Sequence, residues 1–266
     1  MQFTLLGTGP ASPIPRIYCS CRTCADARVP PSRSRRSRSS ALLTVRGKRI
    51  LFDATPDVLV QLERVKTYAV DAVFFTHAHN DAAGGFFDLK DLLYRQKYPA
   101  TLYVEQGTWQ KISQDVPKAE IWFKVKFIKS GERLKVFGAT ITPFRVLHSA
   151  QAGFPTLGYR VGDALVYASD VRNVPKASEH FIQGVEHAVL DGCFWFSTHF
   201  PTHFTVDETI ALANRLHVKN LYLTQISHNY PPYAEAQRII TAYIKKEGLT
   251  TNVQLAYDGL LIKLST

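Results

Sequence analysis

No stretch of the 266 residues approaches the ~18 consecutive apolar side chains that a membrane-spanning helix needs, so no insertion into a bilayer is expected. The N-terminus also lacks a charged and then apolar leader and enters a strand at Gln2, so a soluble, cytoplasmic protein is the expectation. Cysteine is scarce: of four, three lie within Cys19-Ser20-Cys21-Arg22-Thr23-Cys24, too close together for a disulfide framework. Gly7-Thr8-Gly9-Pro10 lacks the third glycine of a dinucleotide fingerprint, and two prolines between Ala11 and Tyr18 leave no helix to follow it. There is no long inserted arm for gripping RNA and the basic run is short, so nucleic acid is not the favoured partner. Acidic residues are outnumbered by basic ones, 22 to 32, and the resulting net charge of +10 favours anionic substrates through the overall field.

What is present is a packed globular composition, 45% hydrophobic and 20% charged, with a length that suits one domain over 1–266. Apolar patterning predicts strands at 2–6, 41–45, 48–53, 70–75, 102–105, 121–128, 139–147, 157–161, 164–168, 185–190, 220–223, 253–256 and 260–264. Helical spacing covers 58–65, 86–94 and 106–114, and a capping box at Thr205 and Glu208 opens a further helix carried by 209–216. This order of elements predicts the α/β class, as a sandwich. Strand after strand ends in histidine or aspartate, at Asp53, His77, His148, Asp170 and Asp191, and strand ends on one side of a sheet are where such folds build a site.

His77 and His79 lie two residues apart, so in extended geometry both imidazoles face one ion, with Asp81 in reach of it or of a neighbour. The alternative is a polar turn carrying ordinary surface histidines. His148 and Asp170 extend the pair to a His₃Asp set of suitable ligand types. The three crowded thiols suit zinc or a similar ion and need a fourth donor from elsewhere; redox chemistry is the lesser reading. Arg33, Arg35, Arg36 and Arg38 alternate with serines in a predicted loop, either a solvated segment or a patch that contacts substrate phosphate.

Together, Leu6-Gly7-Thr8-Gly9, the cysteine cluster, the stretch Arg36 to Ala41, Phe52-Asp53, Thr76 to Gly85, His148, Ser169-Asp170, Thr202-His203, Leu223 to His228 and Tyr257-Asp258-Gly259 resemble the metallo-β-lactamase superfamily over nearly the whole chain. The likeness is to the branch that contains the cyclic phosphodiesterase of phosphonate breakdown. It implies an αββα sandwich with a metal site at one edge of the sheets. It also implies a structural Zn²⁺ on Cys19, Cys21, Cys24 and His228, leaving Cys193 outside. A first active-site metal, Zn²⁺, Mn²⁺ or Fe²⁺, would sit on His77, His79 and His148 with Asp170 bridging. Asp53 would orient a metal-bound histidine, and His203 and Asp81 would be catalytic, His203 assisting proton transfer to the leaving group.

The chain departs from the family pattern at two positions. The usual His-x-His-x-Asp-His ends here in Ala82, and the first histidine of the usual Thr-His-x-Ser-His is Gln225. Both losses fall on the second metal. Asp81, Asp170 and the Gln225 amide oxygen remain as hard donors for a weak second site, suited to Mn²⁺ or Mg²⁺. The expected function is a metal-dependent phosphodiesterase acting on a small cyclic phosphate or nucleotide-like diester, with a homodimer compatible. The alternative is a non-hydrolytic relative, a redox, cofactor-biosynthesis or binding protein that kept the fold.

Overall fold

The first strand, β1 (Gln2–Gly7), is followed by a loop that contains the short helix α1 (Arg22–Ala27). Strands β2 (Ser40–Val45) and β3 (Lys48–Phe52) turn at Arg46-Gly47, where φ of 50° and 75° matches the twist of a two-residue hairpin. Then come α2 (Val58–Arg64), β4 (Ala72–Phe74), α3 (Asn80–Ala83), α4 (Leu89–Gln96), β5 (Ala100–Val104), α5 (Gln106–Ile112) and β6 (Phe123–Phe127). The second half holds β7 (Leu134–Val136), β8 (Ala139–Arg145), β9 (Leu157–Val161), β10 (Leu165–Ala168), β11 (His187–Asp191), α6 (Val206–Arg215), β12 (Asn220–Thr224), α7 (Tyr233–Lys246), β13 (Asn252–Leu255) and β14 (Leu261–Lys263). The computed structural model describes residues 1–114, 119–148, 153–196 and 201–265.

The strands form two mixed sheets, ordered β14-β1-β2-β3-β4-β5-β6 and β13-β12-β11-β10-β9-β8-β7. Strands β3 to β6 run parallel in the first sheet and β10 to β13 in the second. Strand β14 pairs antiparallel with β1, Gln2 opposite Lys263. The inner faces meet in an aromatic cluster centred on Phe52, whose ring lies 5.4 Å from Tyr159, 5.5 Å from Phe74, 5.6 Å from Tyr167 and 5.7 Å from Phe3. Such offset and tilted packing adds to the burial of large apolar rings. Val58, Leu62, Leu89 and Leu93 of α2 and α4 cover the outer face of the first sheet, and Ile210, Ala213, Ala236 and Ile240 of α6 and α7 cover that of the second. The αββα sandwich expected from the sequence is the architecture found.

Four of these helices and strands were missed in the sequence, one of them the single-turn helix α3, too short to show a period. Helix α7 carries Ala236 and Ile240 four apart on its buried side, a signal present but passed over beside Pro231-Pro232. Helix α1 hides in the cysteine cluster, with Cys21 as its N-cap accepting from the Cys24 amide at 3.4 Å. Strand β7 has only three residues. Among the described residues no helix is long and apolar enough to cross a membrane.

Candidate metal centre

Parallel strands deliver their carboxyl ends to one edge of the sandwich, the usual place for a site in such folds. Strand β3 ends before Asp53, β4 before Thr76, His77 and His79, β10 before Ser169 and Asp170, β11 at Asp191 and β12 before Gln225. His148 follows β8. Ligand atoms of His77, His79 and His148 lie within 4.8 Å of one another, as do those of His148, Asp170 and His203.

Each ring is turned by a specific contact. The Thr76 hydroxyl donates to the Asp53 carboxylate at 2.9 Å, so it accepts from His77 Nδ1 at 2.8 Å, which leaves His77 Nε2 as the lone-pair nitrogen. Asp53 thus acts on His77 through a hydroxyl rather than by direct contact. His148 Nδ1 donates to the Thr202 carbonyl at 2.9 Å and turns Nε2 toward His79 Nδ1, 3.2 Å away. Ser169 Oγ donates to Asp170 Oδ2 at 2.7 Å, fixing one carboxylate oxygen and leaving the other. His203 Nδ1 lies 2.6 Å from Asp191 Oδ2, and the His203 ring packs 4.8 Å from that of His148.

The electrostatics match a cation site. Burial pushes the His77 pKa down to about 3 and lowers that of His79, so both rings are neutral at neutral pH, the form in which imidazole ligates. Burial would raise Asp170, but His77, His148 and His203 outweigh it and hold this carboxyl well below the usual range. Burial, together with the Asp170 charge, lifts Asp81 to about 6. Burial would lower His203, yet the charge and hydrogen bond of Asp191 raise it to about 9. His77 Nε2 and Asp170 Oδ1 are buried with no hydrogen-bond partner among the described residues. Buried polar atoms are rarely left so, and two orphaned acceptors beside two imidazole nitrogens form a donor set that a divalent ion satisfies.

The second-metal residues are placed differently. Asp81 belongs to neither three-donor group, Ala82 is 3% exposed on α3, and Gln225 is buried at φ 60° with Oε1 unpartnered among the described residues. The four donors of Cys19, Cys21, Cys24 and His228 also converge within 4.8 Å, with Cys19 Sγ 3.4 Å and Cys21 Sγ 3.6 Å from His228 Nδ1. This S₃N set fits a closed structural zinc site. Hydrogen bonding from Cys21 lowers the Cys19 thiol, whereas burial lifts Cys24 to about 11. Cys193 is buried outside this group.

The arginine loop departs from expectation. Arg36 is 3% exposed and donates to Thr8 Oγ1 at 2.7 Å and to the Ala256 carbonyl, with burial lowering its pKa to about 10. Arg38 pairs with Asp57 at 3.0 Å, and the Arg33 guanidinium sits 4.3 Å above the Tyr257 ring. Only Arg35 is exposed without such an anchor among the described residues; the other three hold the loop to the body. Sequence reasoning missed Thr76, Thr202 and Asp191 as positioning residues. Asp191 had a signal, a strand ending in a carboxylate, while Thr202 acts through a backbone carbonyl that no side-chain pattern reveals.

The profile described as "Beta-lactamase superfamily domain" matches residues 48–226. A solved structure described as a new diphosphatase from the PhnP family superposes with a TM-score of 0.86 at 28% identity, covering 99% of this chain and 98% of that one. The Zn²⁺-bound PqqB of Methylobacterium extorquens superposes with a TM-score of 0.81 at 22% identity, over 99% and 100% of the two chains, a likeness of fold. In sequence, the chain is 26% identical over 270 residues to an octanoyltransferase of Porphyromonas gingivalis (strain ATCC BAA-308 / W83), covering 98% of this chain and 51% of that protein. The chain therefore spans about half the length of that relative.

Proposed function

Since the chain belongs to the beta-lactamase superfamily, we propose that it is a metal-dependent hydrolase of phosphodiesters, acting on a small cyclic phosphate or nucleotide-like diester. The observation that carries this reading is His203, held by the buried Asp191 carboxylate against the His77, His79 and His148 set. His77, His79, His148 and Asp170 would hold one divalent ion, Zn²⁺, Mn²⁺ or Fe²⁺, which when bound supplies Lewis acidity toward a phosphoryl oxygen and toward water. Asp81, Asp170 and Gln225 offer oxygen donors to a weaker Mn²⁺ or Mg²⁺ position. Asp191 keeps His203 in the protonated form, so that its other ring nitrogen serves as acid toward a departing alkoxide. The diphosphatase likeness, at 28% identity over nearly the full chain, agrees with chemistry at a phosphorus centre.

Protein purified without chelators and assayed on bis(p-nitrophenyl) phosphate tests the reading. Turnover is expected to vanish on chelation and return with Zn²⁺ or Mn²⁺. His203→Ala is expected to lower it about 10²–10⁴-fold with metal content unchanged. Metal-replete protein without turnover would favour the second reading, a non-hydrolytic relative, which the presence of Ala82 and Gln225 at second-metal positions supports.

A further inference from the structure

Two cavities meet the histidine set. The smaller, of about 390 Å³, reaches it through His203 and is bounded by the cysteine-site ligand His228, with Arg16 and the protonated His203 as its cations among the described residues. The larger, of about 800 Å³, reaches it through His148, within the size range of pockets that enclose small ligands. Its chemistry is uneven in a way that packing does not require. Phe127, at the end of the edge strand β6, lines it while 55% exposed, and Phe154 lines it while stacked on the His79 ring at 4.5 Å. Lys111 Nζ stands 4.2 Å from the centre of the Phe154 ring. Lys129 lines the wall with its backbone amide donating to the Glu132 carboxylate at 3.1 Å, and the ammonium group of neither lysine forms an ion pair among the described residues. The single acid of the lining, Glu105, is engaged by both guanidinium nitrogens of Arg145, so the wall's own anion is already neutralised. The open ring of Phe127 and two ammonium groups without an ion pair among the described residues, beside a site for a phosphoryl group, form a surface for a flat ring and a second negative charge.

Resting on the hydrolase reading, we propose that this cavity binds the arm of the diester that carries a planar ring and a further anionic group, with Lys129 and Lys111 as the specificity-determining residues. A nucleoside bisphosphate arm has that chemistry. The anion lies against Lys129 and Lys111, and the ring against the open face of Phe127, beside the edge of Phe154, whose faces are taken by His79 and Lys111.

The test compares two chromogenic esters on the metal-loaded protein, thymidine 5′-(p-nitrophenyl phosphate) with and without a 3′-phosphate. The wild type is expected to prefer the 3′-phosphorylated ester by roughly tenfold in kcat/KM, the scale of one lost charge-assisted contact. The variant joining Lys129→Ala and Lys111→Ala is expected to lose that preference through KM. Lys124→Ala, at the far end of β6 and on its other face, is expected to keep it. Binding of thymidine 3′,5′-bisphosphate measured by calorimetry, which needs no turnover, is expected to weaken about tenfold in the double lysine variant and not in Lys124→Ala. Wild-type protein without the preference, or a preference that survives the double variant, overturns the assignment while hydrolysis itself stands. Lysine-dependent binding of the bisphosphate without turnover of either ester upholds the cavity and overturns the hydrolase reading instead.

Discussion

Gln225 is buried and left-handed, at φ 60°, and its side-chain amide oxygen Oε1 has no partner among the described residues. Histidine is among the few non-glycine residues enriched in that backbone region, so an imidazole is tolerated there. If the centre is a two-metal framework short of ligands, Ala82→His with Gln225→His should add about one metal equivalent and raise diester hydrolysis in Mn²⁺ or Zn²⁺, whereas each single change leaves the second ion partly liganded and does little. Metal content of the wild type, both singles and the double decides the point, and a double variant with no added metal would show a pocket rebuilt for other chemistry. At this scale, what the sequence displayed was residue type: His77, His79, His148 and Asp170 stand out in it, and the fold sets the donor atoms of the three histidines within 4.8 Å of one another and Asp170 beside His148 and His203. Thr76 and Thr202 stayed hidden because they work through a hydroxyl and a carbonyl, groups too common to stand out in a sequence.

Helix α6, which follows His203, is pinned at both ends. The Thr205 amide donates to Glu208 at 2.9 Å in the capping box that the sequence announced. At the other end Arg215 binds Glu179 of the 3₁₀ turn Lys176–Phe181 through both guanidinium nitrogens, at 2.8 and 2.9 Å. Hydrogen bonds from Arg215 and then Lys176 pull the Glu179 carboxyl below the usual carboxylate range, to about 2. A depressed carboxyl adds stability that is fully present above its unfolded pKa and is lost as pH falls through its folded one. Glu179→Gln should therefore melt at a lower temperature than wild type at pH 6, with the gap closing as the pH approaches 2 in parallel thermal scans. A wild-type and variant difference independent of pH would assign the effect to packing. Capping and period-two strands were legible because they are local patterns. Helix α1 was not, because six residues give too little periodicity and its cap is a thiol.

Across the whole molecule, the cysteine site joins a loop near the N-terminus to His228, far along the chain. Arg22 pairs with Glu235 at 2.6 Å and Ser34 Oγ accepts from the Tyr233 amide at 2.9 Å, so the same two segments also meet without metal. Serine caps helices well, so Cys21→Ser keeps the α1 cap and removes only a ligand. This variant should lose about one equivalent of zinc and melt at a lower temperature, because structural zinc contributes directly to folding. Unchanged zinc content and melting temperature would return the thiols to ordinary packing. The class of sandwich was legible through motif order, but the pairing of β14 with β1 was not, since strands at opposite ends of the chain share no local signal. That pairing sets how the molecule bears tension. Gln2 faces Lys263, and the Met1 amine donates to the Leu264 carbonyl at 3.2 Å, so both ends leave the sheet side by side. A pull applied across them peels this ladder like a zipper, one hydrogen bond at a time, rather than shearing all its bonds together, and the edge of the first sheet yields before the strands that carry the histidines feel the load.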